Sequence, residues 1–284
     1  MAVKASAIVP TLGRSPLLVP CLEALRREGL EILVVDQSER PVAIPDGLAD
    51  RVLRPGRNLG FAAGTNLGIE AAAGDWIATV NDDAVVEPGW LAALLAALEA
   101  DPRAAAAQGV NLLQEAPDRA DGCGLEWNRW WQAVQIGHGK PAPGPGGGVR
   151  EVFGVSATAA VYRRQSLVDA GGFDARLVSY YEDVDLAVRL HAAGWRALLV
   201  PGARARHAGS LTGRTLSRER WRLLYGNRYV VVKRLLRGSF WVRLPVLALR
   251  DAVDLARAVL RGDGALAGGI LSGWGRALRF RDNL

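Results

Sequence analysis

The sequence predicts an α/β protein, a mostly parallel sheet flanked by helices, followed by a helical C-terminal extension. Three observations predict it. Short β-branched apolar runs alternate with segments of helical periodicity through the first hundred residues, several of those runs end in polar residues, and beyond Pro201 long segments rich in Arg, Leu and Trp take over. Strands that alternate with helices imply right-handed crossovers and parallel pairing.

The elements follow in order. Ala5 to Pro10 (ASAIVP) and Glu31 to Asp36 (EILVVD) are near-continuous apolar runs, as expected of strands covered on both faces. Between them Ser15 caps a helix with Pro16 in its first turn; Leu17, Leu18, Cys21, Leu22 and Leu25 recur at helical spacing until Gly29 stops it. Arg51 to Arg54 reads as a third strand, Ala62 to Ala73 as a helix, Trp76 to Val80 as a fourth strand, and Pro88 to Glu99 as a helix. The middle is less regular. Trp127, Trp130 and Trp131 fall in a strand or hairpin, Glu151 to Tyr162 resumes a strand pattern, and Glu182 to Ala193 is a helix. Arg196 to Val200 reads as the last strand; residues 217–236, 240–260 and 265–279 read as helices.

With 284 residues, half of them hydrophobic, the chain can bury a full core. Cys21 and Cys123 are far apart and belong to no Cys/His cluster, which argues against a disulfide framework or a thiolate zinc site and fits a reducing cytosol. The apolar run at the N-terminus is too short for an export signal. Charge is uneven: residues 1–203 carry 18 Lys and Arg against 24 Asp and Glu, whereas residues 204–284 carry 17 against 5. Such a tail suits an anionic surface. None of its segments has the ~20 uninterrupted apolar residues of a spanning helix, since Arg243, Arg250, Asp251 and Asp254 interrupt the best candidate.

In an open α/β sheet the ligand crevice lies beyond the carboxyl ends of the strands. Thr11 follows the first strand, Asp36 ends the second, and Asn81-Asp82-Asp83 follow the fourth, so polar groups converge on one rim. Adjacent carboxylates suit a polar turn; they also suit a hard divalent cation, which takes oxygen ligands with phosphates completing its shell. A second acidic cluster, Glu182, Asp183 and Asp185, opens a helix, where carboxylates favour the helix dipole and an Asp facing the crevice can act as a general base. His207, expected in an irregular segment after the last strand, is a core or surface imidazole or a metal ligand. Gly60, Gly64 and Gly68 recur every four residues and line one helical face, allowing close backbone approach. The segment is neither a P-loop nor a dinucleotide fingerprint.

The ordered set Ile8-Val9-Pro10-Thr11, Val34-Val35-Asp36-Gln37, Asn58 to Ile69, Asn81-Asp82-Asp83, Tyr181-Glu182-Asp183-Val184-Asp185-Leu186 with Gly194-Trp195, and His207 closely resembles the family 2 inverting glycosyltransferases of the GT-A (Rossmann-like) fold, most closely a rhamnosyltransferase-like branch. The match runs over about residues 5 to 210. The resemblance implies a catalytic domain over residues 1–210 and a basic helical extension over 211–284. It implies that Thr11, Asp36, Asn58, Asn66 and Asp82 contact the nucleotide sugar, that Asp83 and His207 hold Mg2+ or Mn2+, and that Asp183 is the catalytic base. Asn81-Asp82-Asp83 stands where the family has its DxD motif, and Asp36-Gln37 where Asp-Asn is usual.

The implied partners are a nucleoside-diphosphate-sugar donor and a saccharide or lipid-linked acceptor. No nucleic acid is expected: a nucleic-acid binder accounts for the basic tail but not for the acidic rim, which without a metal would repel phosphates. The basic tail suits an anionic membrane surface, with the protein cytoplasmic and peripheral at the inner face of the membrane. The Trp127 to Trp131 segment packs in the core or stacks on an acceptor sugar.

Overall fold

The computed structural model describes residues 4–209 and 217–281. The expected domain boundary at residues 210 and 211 falls outside them. The chain runs β1 (Ala5–Thr11), α1 (Leu18–Arg27), β2 (Glu31–Asp36), β3 (Arg51–Leu53), α2 (Phe61–Ala71), β4 (Trp76–Val80), β5 (Ala84–Val86), α3 (Trp90–Ala100), β6 (Ala104–Leu113) and β7 (Ala116–Gly122). It continues through β8 (Leu125–Trp127), β9 (Ala133–Gln135), β10 (Arg150–Val152), β11 (Ala159–Arg163), α4 (Arg164–Asp169), α5 (Glu182–Ala192) and β12 (Arg196–His207). The extension holds α6 (Arg218–Leu236), α7 (Phe240–Leu260) and α8 (Gly264–Arg279).

The main sheet has the order β10-β12-β6-β11-β4-β1-β2-β3, with β5 added to β12 and β7 to β6. Strands β4, β1, β2 and β3 are parallel, while β11 enters antiparallel between β4 and β6. Alternate residues of β1 face opposite layers, as the strand period requires. Ala7 and Val9 pack with Leu22 and Leu25 of α1 and Leu94 and Leu98 of α3, whereas Ile8 packs with Ile69 of α2, Leu167 of α4 and Leu186 of α5.

Four expectations change. Strand β6 was not legible as one, because AAAAQGVNLL begins with four alanines of low strand propensity; complete burial of Ala104 to Ala107 in the sheet overrides that local preference. The run Glu151 to Tyr162 divides into β10 and β11, separated by a polar turn that serves the site below. Helix α1 begins at Leu18, because the Ser15 hydroxyl accepts from Leu17 N at 3.1 Å and donates to the Asp82 carbonyl at 2.9 Å. Strand β12 does not stop at Val200: a register shift against β6 between Leu199 and Arg204 carries it past Pro201 and Gly202 to His207.

The extension packs on the sheet domain. Val230 and Val231 of α6 join Val184 and Val188 of α5 and Leu177 in one apolar cluster. Trp127 packs edge-on to Phe153, ring centroids 5.8 Å apart, and also lies against that cluster, in keeping with the core reading of this tryptophan. Asp251 of α7, fully buried, accepts from Arg228 Nη2 at 2.6 Å, the Tyr229 hydroxyl at 2.9 Å and Trp274 Nε1 at 3.0 Å, and so ties the three helices together. Among the described residues no helix is long and apolar enough to cross a membrane.

Candidate active site

Because β1, β2 and β4 are parallel, Thr11, Asp36 and the Asn81-Asp82-Asp83 turn emerge at one edge of the sheet. The Thr11 hydroxyl donates to Asp82 Oδ2 at 2.6 Å and accepts from Gly13 N at 2.9 Å. Burial, added to by the neighbouring Asp83 carboxylate and opposed by the Thr11 bond, raises the Asp82 carboxyl to about 6.

The short strand β5 decides what Asp83 meets. It pairs antiparallel with β12, with Ala84 opposite His207, and Ala208 N donates to the Asp83 carbonyl at 3.0 Å. His207 is therefore the last residue of a strand, not part of an irregular segment, and its Nε2 lies 3.2 Å from Asp83 Oδ1. Its Nδ1 lies 2.8 Å from Asp121 Oδ2. Burial alone would lower the imidazole, but the Asp121 and Asp83 carboxylates outweigh it and raise it to about 9. Asp121 carried no recognisable signal: it sits in β7, a strand whose register against β6 is broken by two shifts.

The third part comes from β11. Its antiparallel pairing with β4 sets the turn before it beside the end of β4, and Asn81 N donates to the Thr158 carbonyl at 2.9 Å. That same turn reaches Asp183: Ala157 N donates to Asp183 Oδ2 at 3.4 Å, and Val184 N donates to Oδ1 at 2.8 Å. The Ser156 hydroxyl is a further partner. A short chain of bonds thus joins the acidic turn after β4 to the first turn of α5. Burial raises the Asp183 carboxyl, against the pull of these backbone donors, and burial together with the Asp183 charge raises Glu182 further.

The segment leading to Asp183 is conformationally costly. Val178, Tyr180 and Tyr181 have φ of 68°, 66° and 67°, where side chains other than glycine are disfavoured. Asn227 of α6 holds it: its buried Nδ2 donates to the carbonyls of Leu177 at 2.9 Å, Ser179 at 3.1 Å and Tyr180 at 2.8 Å. Sequence reading missed Asn227, since an Asn inside a basic helix carries no local mark of its partners.

The remaining expected residues bond to the protein's own backbone and side chains. Asp36 accepts from Val42 N at 3.0 Å, Arg54 Nε at 3.1 Å and both the backbone and the hydroxyl of Ser38; burial raises its carboxyl, but these bonds outweigh it and hold it below the usual range. Asn58 caps the turn into α2 by accepting from Gly60 N at 2.8 Å. Asn66 sits within α2 and its amide is taken up by the Phe173 backbone, donating to O at 2.7 Å and accepting from N at 2.9 Å. The glycine face does allow close approach: a Cβ at Gly64 would lie 2.5 Å from Gln37 Nε2, and one at Gly68 would lie 2.3 Å from Ile8 Cγ2. Gln37 in turn accepts from Leu59 N at 2.8 Å, which fixes the loop before α2.

The donor chemistry suits a divalent cation. His207 Nε2 is buried 3.2 Å from Asp83 Oδ1, and Asp121 holds the other ring nitrogen. With the imidazole raised to about 9 these groups form an ion pair, and loss of the Nε2 proton would free both Nε2 and the Asp83 carboxylate to hold a cation. No third His, Cys, Asp or Glu completes a ligand set among the described residues, which leaves oxygens of a bound phosphate and water to do so.

Fold and site together define a GT-A type α/β protein with acidic residues gathered at the carboxyl ends of its parallel strands. The family profile "Glycosyl transferase family 2" matches residues 6–168, and the chain belongs to that family. It is 30% identical over 192 residues to an N-acetylglucosaminyl-diphospho-decaprenol L-rhamnosyltransferase of Mycobacterium tuberculosis, a match covering 58% of this chain and 61% of that protein. It is also 30% identical over 209 residues to a pre-mycofactocin glycosyltransferase of the same species, covering 71% of this chain and 42% of that one. The fold is similar to the mannosyltransferase PcManGT of Pyrobaculum calidifontis, solved with GDP-Man and Mn2+, at a TM-score of 0.57 and 19% identity over 99% of this chain and 89% of that one. It is likewise similar to GalNAc-T7 solved with UDP, GalNAc and Mn2+, at a TM-score of 0.58 and 15% identity, over 72% of this chain and 44% of that one.

Proposed function

We propose that the protein is a metal-dependent, inverting hexosyltransferase that moves a sugar from a nucleoside-diphosphate sugar, dTDP-rhamnose being favoured, to a hydroxyl of a saccharide or lipid-linked acceptor. The observation that carries the reading is the hydrogen-bonded continuity from Asp83 and His207, through Asn81 and the 156–158 turn, to Asp183. The rhamnose preference rests on the resemblance of the motifs and on the name of the mycobacterial relative.

Inversion is a single displacement at the anomeric carbon, with a base on one side and a stabilised leaving group on the other. Asp183, whose carboxyl is raised by burial, accepts the proton of the acceptor hydroxyl as that oxygen attacks. Asp83 and His207 Nε2 would hold the cation, Mg2+ or Mn2+, which would supply Lewis-acid neutralisation of the charge developing on the nucleoside diphosphate. Thr11 and Asp82, already bonded to each other, contact the nucleoside. Asp36 and Asn58 shape the same pocket through the loops they fix, and Asn66 braces α2 behind it.

Location at a membrane surface is part of the proposal. The face of α7 opposite Asp251 carries Val242, Val246, Leu249, Val253 and Leu260, all exposed, with Leu249 at 64% and Leu260 at 86%, and Arg243 and Arg257 lie exposed on the same helix. An outward apolar stripe edged by arginine suits the interface of an anionic bilayer. The tests are direct. Nucleoside diphosphate release should be greatest with one of dTDP-, UDP- or GDP-sugars in the presence of Mn2+, and absence of release with all three defeats the transferase reading. Flotation with anionic liposomes should be lost in Leu249→Glu/Val253→Glu; unchanged flotation defeats the α7 assignment.

A further inference from the structure

Helices α6 and α8 approach backbone to backbone. A Cβ at Gly269 would lie 2.2 Å from the Trp221 Cβ, and one at Gly226 would lie 2.9 Å from the Gly273 carbonyl. This close seam brings Arg222 of α6 beside Arg276 and Arg279 of α8, and Arg176 of the turn Ala175–Leu177 joins them from the sheet domain. The result is an open groove of about 400 Å³ lined by Arg176, Arg222, Arg276, Arg279, Arg281 and Phe280. Five guanidinium groups line it and no acid does among the described residues.

The groove is built rather than incidental. Arg176 is braced by Asp174, with Nε to Oδ1 and Nη2 to Oδ2 both at 2.8 Å, and its Nη1 donates to the Arg281 carbonyl at 3.0 Å. Arg276 donates from Nε to Asn227 Oδ1 at 2.9 Å and from Nη2 to the Arg176 carbonyl. The Phe280 ring lies under two of them, with the Arg176 and Arg276 guanidinium carbons 5.1 and 5.9 Å from its centroid. The acids nearby do not balance the charge. Asp174 is shared with Arg234, and Glu219 pairs with Arg222 at 2.7 Å and also lies close enough to act on Arg276. Burial and then the Arg222 charge lower Arg276, against the opposing pull of Glu219 and Asp174.

We propose that this groove binds a phosphate-bearing anion, a phosphomonoester or diphosphate, at a site separate from the strand-end crevice. Arg176, Arg222 and Arg276 already direct guanidinium N–H groups to protein acceptors and supply charge, while the exposed Arg279 and Arg281 add guanidinium groups of the kind that pair with phosphate oxygens. The proposal stands whether or not the crevice transfers sugar, since none of its residues comes from the strand ends. The phosphate can belong to a lipid headgroup or to a soluble molecule, and the experiment separates the two.

Titration calorimetry of the full chain with inorganic pyrophosphate, in EDTA to remove any metal contribution from the crevice, should show binding that weakens roughly tenfold or more in Arg222→Gln/Arg279→Gln. The melting temperature of that variant should match the parent, and Arg27→Gln/Arg103→Gln, on exposed arginines outside the groove, should bind as the parent does. If the double variant unfolds, Arg281→Gln alone serves the same comparison. Co-sedimentation with phosphatidylcholine vesicles containing phosphatidic acid, with the α7 face removed in both proteins by Leu249→Glu/Val253→Glu, then identifies the source. Vesicle binding that remains and is lost with the groove substitutions means a lipid headgroup, and no vesicle binding alongside groove-dependent pyrophosphate binding means a soluble anion. Pyrophosphate binding that is absent, or equal in parent, groove variant and control, overturns the proposal.

Discussion

The side-chain nitrogen of Asn227 donates to the Tyr180 carbonyl at 2.8 Å, so a helix of the C-terminal extension holds the backbone three residues before Asp183. Its amide also serves Leu177 and Ser179, and the segment it holds contains three side chains in the left-handed region. Without that clamp the segment is free to relax and carry Asp183 with it. Asn227→Ala is expected to lower kcat by ~10²-fold, the order of loss from a displacement of about 1 Å at a reacting group. The Kd for the nucleotide should not change, because Thr11 and Asp82 lie on other elements. Equal weakening of kcat and nucleotide affinity would show a general loss of fold instead.

Asp183→Asn keeps the size of the side chain and one oxygen to accept from Val184 N, but its amide nitrogen cannot accept from Ala157 N and it has no basicity. Transfer is expected to fall ~10²- to 10⁴-fold with nucleotide affinity retained. The pH profile follows from burial: a raised carboxyl is protonated at pH values where an ordinary aspartate is ionised, so kcat should decline as pH falls through that raised value. A kcat profile that stays flat down into the ordinary aspartate range contradicts the role.

Chelation with EDTA should abolish transfer, and Mn2+ or Mg2+ should restore it. Asp121 touches the imidazole on the side away from Asp83, so Asp121→Asn should weaken metal affinity ~10- to 100-fold by loosening the ring and reducing its basicity. Mn2+ titration followed by electron paramagnetic resonance, with nucleoside diphosphate present, reads this without any turnover. Parent-like Mn2+ affinity in that variant would remove Asp121 from the site.

Asp251 is a matter of stability. Its removal leaves Arg228, almost wholly buried, without its carboxylate, and strips the Tyr229 hydroxyl and the Trp274 indole of their acceptor. Asp251→Ala should lower the unfolding free energy by about 3–5 kcal/mol, the usual cost of an uncompensated buried charge. Urea denaturation measures it; a loss under about 1 kcal/mol would mean that water reaches Arg228 freely.

The sequence by itself determined the local elements and the order of the motifs. The β-branched runs at Ala5 and Glu31 and the helical spacing of the leucines in α1 are short-range patterns that became the elements they foretold. Gly64 and Gly68 make the close contacts expected of a helical face, whereas Gly60 stands before α2 with a φ of 84° and not on that face. Only the tertiary structure decided who meets whom across the sheet. The bulge that carries β12 past Pro201, the pairing of Ala84 with His207, the approach of Asp121 from β7 and the reach of Asn227 from α6 are long-range events. Their physical reason is register: one residue's slip in a strand turns its side chains to the opposite face, and burial of the whole sheet, not any neighbouring residue, selects the register that is kept.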